Sequence, residues 1–314
     1  MMNHPFNMQH NFKQSILTFM MAAIAVFGLS ACSTTDRTPS IQASNTIASN
    51  SIDTDTSPVK AGSSTSTVNL LQILATAYES TSEIGEIDID ILEPSQSEAA
   101  IVGVEQQVID VGLISKTLKP EETGEMLNFR PVAEDALLVA THPSVTGVTN
   151  LNTADLRGIY SGTITNWKEL GGPDAQILLL DRPEDESAKR LLREHYLGQD
   201  LPNSPNAIIL RKEGELIQTL QSTPYSIGAF SLAYAISQDL PVNHLSLDGV
   251  APTSENLKTD RYQMARTISV ISNKNTSDTT QAFVNYIFSP LGVNMMEQSG
   301  FVPFSSPIDP EEKK

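Results

Sequence analysis

The chain is poor in cysteine, tryptophan, histidine and positive charge. It has one cysteine, so no disulfide can form within it and folded stability has to come from a buried core. Lys and Arg number 20 against 37 Asp and Glu, a formal net charge of −17. Nucleic acid rewards basic residues that neutralise phosphates, so this balance excludes it as a partner class. A small anion is not excluded, because a local cleft can oppose the global sign. Beyond residue 32 the only histidines are His142, His195 and His244. The sequence contains no His-Glu-x-x-His and no Gly-x-Ser-x-Gly elbow. Carboxylates are abundant, but abundance is not a pair at catalytic separation. The reading is therefore not an enzyme, with no metal and no cofactor.

Long apolar runs are also scarce. Residues 15–28 form one, SILTFMMAAIAVFG, preceded by the single charge of Lys13. About 14 residues fall short of the roughly 20 needed to span a bilayer, but suit the core of a signal peptide. The run ends in Leu29-Ser30-Ala31-Cys32, which resembles the bacterial lipobox, where small residues admit a peptidase before a lipidated cysteine. The alternative is an ordinary secretory signal followed by a stray cysteine. Cleavage before Cys32 would remove Lys13 and take the charge from −17 to −18. Residues 33–60 are rich in Ser, Thr, Asn and Asp, with too little apolar surface to offset ordering entropy. They read as a flexible tether.

The pattern changes from residue 62. Leu70, Leu71, Leu74 and Tyr78 recur at helical spacing behind a Ser/Thr run that can supply N-caps. IDIDIL at 87–92 alternates like a half-buried strand, AAIVGVEQQV at 99–108 reads as a helix, and IDVGLIS at 109–115 as a strand. ALLVAT at 136–141, ILLL at 177–180 and AIIL at 207–210 are continuous apolar runs, as in strands covered on both faces. LLREHYL, ELIQTL and TTQAFVNYIFS read as helices, and TISVIS as a strand. Strands alternating with helices imply α/β layers and parallel pairing. The sole tryptophan lies in LRGIYSGTITNWKEL at 156–170. Asn152 or Thr153 can cap a helix buried through Leu156, Ile159 and Tyr160, with Gly162 where a left-handed C-cap is wanted. Trp167 then folds back on that stripe as a structural staple.

The same segment, LNTADLRGIYSGTITNWKELGG, resembles the PstS-like phosphate-binding proteins of bacterial ABC transporters. AGSSTSTVNLLQILATAY is similar to their first Gly-Ser-Thr loop and helix, and IDVGLISKTLKPEE to the strand and Ser-containing loop after their second anion loop. PVAEDALLVATHPS resembles their first inter-lobe strand, YSIGAFSLAYA and YQMARTISVISN the return toward the first lobe, and SPLGVNMMEQSGFVPF the closing helix. The resemblance implies an α/β, two-lobed periplasmic-binding-protein (type II) fold with a ligand cleft between the lobes. Its expected divisions are a lipoprotein signal peptide at 1–31, a tether at 32–60, and lobe 1 at 61–138 and 263–306. Lobe 2 covers 139–262, and a C-terminal tail 307–314.

The resemblance also implies where an anion would sit. Ser64 and Thr65 fall in the first loop, with plain N-capping as the alternative. Ser97, in PSQSEAAI, matches the serine of the second loop, but Gln96 and Glu98 replace the family's glycines. Ser115 and Lys116 form the third, where Lys116 is either a charge for the anion or a solvated loop residue. In LLLDRPEDESAKRLLREHYLG, Arg182 matches the family arginine that forks onto the oxyanion. Ser187 is the hydroxyl left near the family's Ser-Gly-Thr. Asp185 and Glu186 stand where small neutral residues would be, so Arg182, Lys189 or Arg190 would have to compensate them.

By this resemblance the protein is a lipid-anchored solute-binding protein. It would capture inorganic phosphate or a related oxyanion for an ABC permease, as a monomer that meets the membrane only through Cys32. It would sit in a bacterial cell envelope, on the periplasmic side of the inner or outer membrane. Ser33 after the cysteine favours the outer membrane in Gram-negative cells. The alternative is an envelope lipoprotein of the same fold that has lost or changed its ligand and acts as a scaffold or sensor.

Overall fold

A computed structural model describes residues 57–81, 87–116, 118 and 126–304. All fall in one compact unit, Asp53–Lys314. The apolar leader, Cys32, the tether up to residue 56 and the C-terminal tail lie outside the described residues.

Strand β1 (Val59–Ser63) starts inside the segment read as tether, because Val59 is buried and pairs with Ile89. It leads into α1 (Val68–Glu79), β2 (Ile89–Ile91), α2 (Ser97–Glu105) and β3 (Val111–Ile114). The alternation gives parallel pairing, β2–β1–β3. The helical spacing read in α1 is its buried face: Leu70, Leu71, Leu74 and Tyr78. Tyr78 packs its ring at 5.2 Å from Phe283 and 5.1 Å from Tyr286.

Next comes β4 (Leu127–Thr141), 15 residues that serve two cores. Val132 and Ala133 belong to the first core, with α1; Ala136 to Ala140 belong to the second. By apolar pattern only residues 136–141 read as a strand, and the family resemblance extends it back to Pro131. Pro131 and the polar residues Asn128, Arg130, Glu134 and Asp135 break the apolar pattern, and Pro131 has no N–H to donate. The structure places a register shift there, where Ile268 and Ser269 of β11 (Ala265–Asn273) face Ala133 and Pro131.

The second lobe carries β5 (Asn150–Leu151), α3 (Thr153–Ser161), a 3₁₀ turn (Trp167–Leu170), β6 (Leu178–Asp181) and α4 (Ser187–Leu192). A π-helical turn (Arg193–Leu197) continues α4, so LLREHYL is split between two windings. β7 (Ile208–Ile209), α5 (Glu213–Ser222), β8 (Ser226–Ser231), α6 (Leu232–Ser237), β9 (Asn243–His244), β10 (Ser246–Leu247) and α7 (Ser254–Lys258) follow. The chain returns through β11 and closes the first lobe with α8 (Asp278–Ile287), α9 (Pro290–Gln298) and β12 (Val302–Pro303). The main sheet runs β2-β1-β3-β11-β4-β8-β6-β7. The sequence expectation of parallel pairing needs correction at its centre. β11 is antiparallel to both β3 and β4, and β4 to β8, because the chain crosses between lobes and comes back.

Trp167 is fully buried in the second core with Leu156, Ile159 and Tyr160. Its Nε1 donates to the Tyr225 carbonyl at 2.9 Å. Asn152 caps α3 in a reciprocal box with Asp155, and Gly162 ends it at φ 78°, a left-handed conformation that a side chain would strain. The tryptophan is a staple. Trp167→Ala should destabilise the protein by about 3–5 kcal/mol, read from urea unfolding followed by circular dichroism. A loss below about 1 kcal/mol would contradict a core role.

Candidate functional site

A cavity of about 220 Å³ lies between loops of the two lobes. Four loops reach it: Ser64 and Thr65 before α1, Ser95 to Glu98 at the start of α2, Ser115 and Lys116 after β3, and Asp185 to Ser187 before α4. Ser64, Thr65, Ser97, Ser115, Lys116 and Ser187 all line it.

Backbone bonds fix the loops. Ser64 N–H donates to the Leu113 carbonyl at 3.0 Å and Thr65 N–H to the Ser95 carbonyl at 2.9 Å. Ser66 Oγ donates to Ser115 Oγ at 2.9 Å, tying the first loop to the third. The N-capping reading of the first loop is not met. Thr67 stands at the N-cap of α1, but its hydroxyl donates to the Leu113 carbonyl at 2.7 Å and caps nothing. Gln96, at the N-cap of α2, also makes no side-chain cap bond. By contrast α3, α6, α7, α8 and α9 are capped by Asn152, Ser231, Thr253, Ser277 and Ser289. The two longer helices that start at the cavity thus leave first-turn N–H groups to other acceptors.

Each acid around the cavity has a cation beside it. Lys116 Nζ lies 3.7 Å from Glu98 Oε1, and Arg211 Nη1 lies 2.9 Å from Asp185 Oδ2. Hydrogen bonding from Arg211 holds the Asp185 carboxyl below its ordinary range. Arg190 lines the cavity and donates to the Asp185 carbonyl. Arg182 does not line it. It is buried directly behind two lining residues, with Nη2 at 2.8 Å from Glu186 Oε2 and 3.4 Å from Thr65 Oγ1. Its Nε and Nη1 are buried with no hydrogen-bond partner.

A family model described as a PBP superfamily domain matches residues 40–290. The chain belongs to the PBP superfamily. It is 26% identical over 252 residues to the phosphate-binding protein PstS of Borreliella burgdorferi, covering 78% of this chain and 89% of that protein. The PstS of Bacillus subtilis is 26% identical over 235 residues, 74% of this chain and 76% of the relative. Among solved structures, a chain from Clostridium perfringens assigned as a phosphate ABC transporter substrate-binding protein, with bound phosphate, superposes at TM-score 0.69. It is 26% identical and covers 79% of this chain and 100% of its own. The PstS-like resemblance and the two-lobed α/β fold read from the sequence both stand.

Next to the cavity loops lies a charge cluster that sequence reading missed. Arg266 of β11 donates to Asp135 Oδ2 at 2.8 and 3.0 Å, and to Glu213 Oε1 and Oε2 at 3.0 and 2.9 Å. All three residues are buried. Burial pushes the Asp135 carboxyl up against the pull of Arg266. Burial works against the Arg266 charge as well, but Glu213 and Asp135 outweigh it and raise its pKa. The guanidinium also reaches Ser187 Oγ and the Ser66 carbonyl, each at 3.4 Å, so it touches loops from both lobes. A partial signal existed: Asp135 and Arg266 are opposite charges at the edges of the runs ALLVAT and TISVIS, and the structure pairs them across β4 and β11.

The loop before α4 has its own scaffold. Lys189, read as a compensating cation for the cavity, is fully buried on Asp181 and cannot serve there. Arg193 grips Glu184 through two bonds, 2.8 and 3.1 Å. Hydrogen bonding from Arg193, against the opposing effect of burial, lowers the Glu184 pKa to about 2. A lowered carboxylate pKa contributes stability above the unfolded value of 4.5, lost as pH falls toward about 2. Glu184→Gln should remove part of the fall in the urea midpoint between pH 5 and pH 2.5 while leaving the pH 7–8 slope unchanged. An unaltered acid limb would show that the Arg193 contact does not shift Glu184.

Proposed function

We propose that the cleft binds phosphate or a related tetraoxo anion and passes it to an ABC permease. Arg182 carries this reading: a buried guanidinium with two unpartnered nitrogens, set behind the cavity-lining Thr65 and Glu186. A guanidinium with free N–H groups suits an oxyanion, and first-turn N–H groups and hydroxyls would complete the shell. The PstS relatives and the phosphate-bound neighbour support the same ligand. In this reading Ser64, Thr65, Ser97, Ser115, Lys116, Arg182 and Ser187 hold the anion. The chain acts as a monomer without catalysis, with lobe 1 formed by 61–138 and 263–306 and lobe 2 by 139–262. Closure of the lobes about the ligand is the motion such a hinge allows.

Thermal unfolding of the full chain in detergent, with phosphate, sulfate, molybdate or tungstate, tests the ligand. Phosphate at 100 times its dissociation constant should stabilise the protein by about 2.7 kcal/mol, and Arg182→Ala should abolish the shift. No shift with any oxyanion would overturn the reading in favour of a ligand-free or re-purposed envelope lipoprotein.

We further propose lipid anchoring at Cys32 in a bacterial envelope, on the strength of Leu29-Ser30-Ala31-Cys32 behind an apolar core. Cys32→Ala should move the protein from the membrane pellet to the soluble or unprocessed fraction. Unchanged fractionation and mass would rule out the anchor.

A further inference from the structure

Arg182 is held by a carboxylate of its own chain, four residues on. Glu186 lines the cavity and accepts from Arg182 Nη2 at 2.8 Å. The two side chains are 2% and 12% exposed, so solvent screens them little. The match is incomplete. A guanidinium fork can meet both oxygens of a carboxylate, yet here one nitrogen meets one oxygen. Arg182 Nε and Nη1 stay unpartnered, and Glu186 Oε1 makes no hydrogen bond. That second oxygen lies 3.5 Å from Arg211 Nη1, a half-exposed cation already paired with Asp185.

We infer that Glu186 is a tethered competitor for the anion and sets the affinity of the site. Its carboxylate holds Nη2, the nitrogen common to both two-pronged edges of the guanidinium, so an oxyanion that takes either edge competes with it. Arg211, the second cation within reach, gives the displaced carboxylate a partner. The penalty is local to Arg182 and differs from a general field of acidic residues. Asp185 provides the comparison, since it lines the same cavity with the same charge but pairs with Arg211 and Gln96. The inference rests on the oxyanion reading of the cleft proposed above.

Isothermal titration of the full chain in detergent with inorganic phosphate, at pH 7.5 and 0.15 M salt, tests it. Glu186→Gln keeps the side-chain shape and removes the charge, and should tighten phosphate binding at least tenfold. Asp185→Asn should change it less than threefold. Glu186→Ser serves as the second variant, and urea midpoints verify that each variant is folded. Binding by the Glu186 variants alone, with none by the unsubstituted chain, supports the competitor in stronger form. Intact binding by the unsubstituted chain with no gain in either Glu186 variant overturns the competitor and leaves the oxyanion site standing. An equal gain for Asp185→Asn also overturns it, because the effect would then be a general field. Absence of oxyanion binding in every form overturns both readings.

Discussion

Arg266 and its two carboxylates occupy the junction that the rest of the molecule is built around. β4 and β11 are the strands that connect the lobes, and Asp135 and Arg266 are directly paired on them. Glu213 adds the start of α5, and contacts to Ser66 and Ser187 add two loops of the cavity. Desolvating three charges is costly, and only mutual pairing with further hydrogen bonds offsets it. Such a cluster tolerates few alternative arrangements. It bridges the crossing strands and loops of both lobes, and removing one partner would leave a buried charge uncompensated.

Above that junction the cleft follows the same rule of matched charge. The chain as a whole is strongly acidic, yet each acid at the cavity has a cation: Glu98 with Lys116, Asp185 with Arg211, Glu186 with Arg182. Lys116, Arg182, Arg190 and Arg211 outnumber the three acids there, and a local excess of cations lets an acidic protein present an anion-compatible cavity. The hydroxyl-rich wall does not add charge. It adds donors whose orientation is set by backbone bonds such as Ser64 to Leu113.

Local signals in the sequence were reliable where the cause is local. The Asn152 cap, the left-handed Gly162 and the buried stripe of α3 depend on neighbours a few residues away, and they formed as the spacing implied. The serines and Lys116 were found by resemblance to a family pattern, and the structure gathers them round one cavity. The first half of β4 was hidden because Pro131 and its polar neighbours break the alternation that marks a strand. Lys189, expected to compensate the acids of the cavity, is fully buried instead, since nothing in its neighbourhood announces the ion pair with Asp181.

By itself the sequence determined the alternation of strands and helices, the capped corner around Trp167, the acidic balance and the family. Each of these follows from residue type and short-range spacing. Only the tertiary structure decided which charges meet. Arg266 is paired with residues 131 and 53 positions away, and Lys212 reaches Glu93 across 119 positions. Arg182 is bound by a glutamate rather than left open to the cavity. Electrostatic pairing depends on distance in space and on burial, and sequence separation encodes neither.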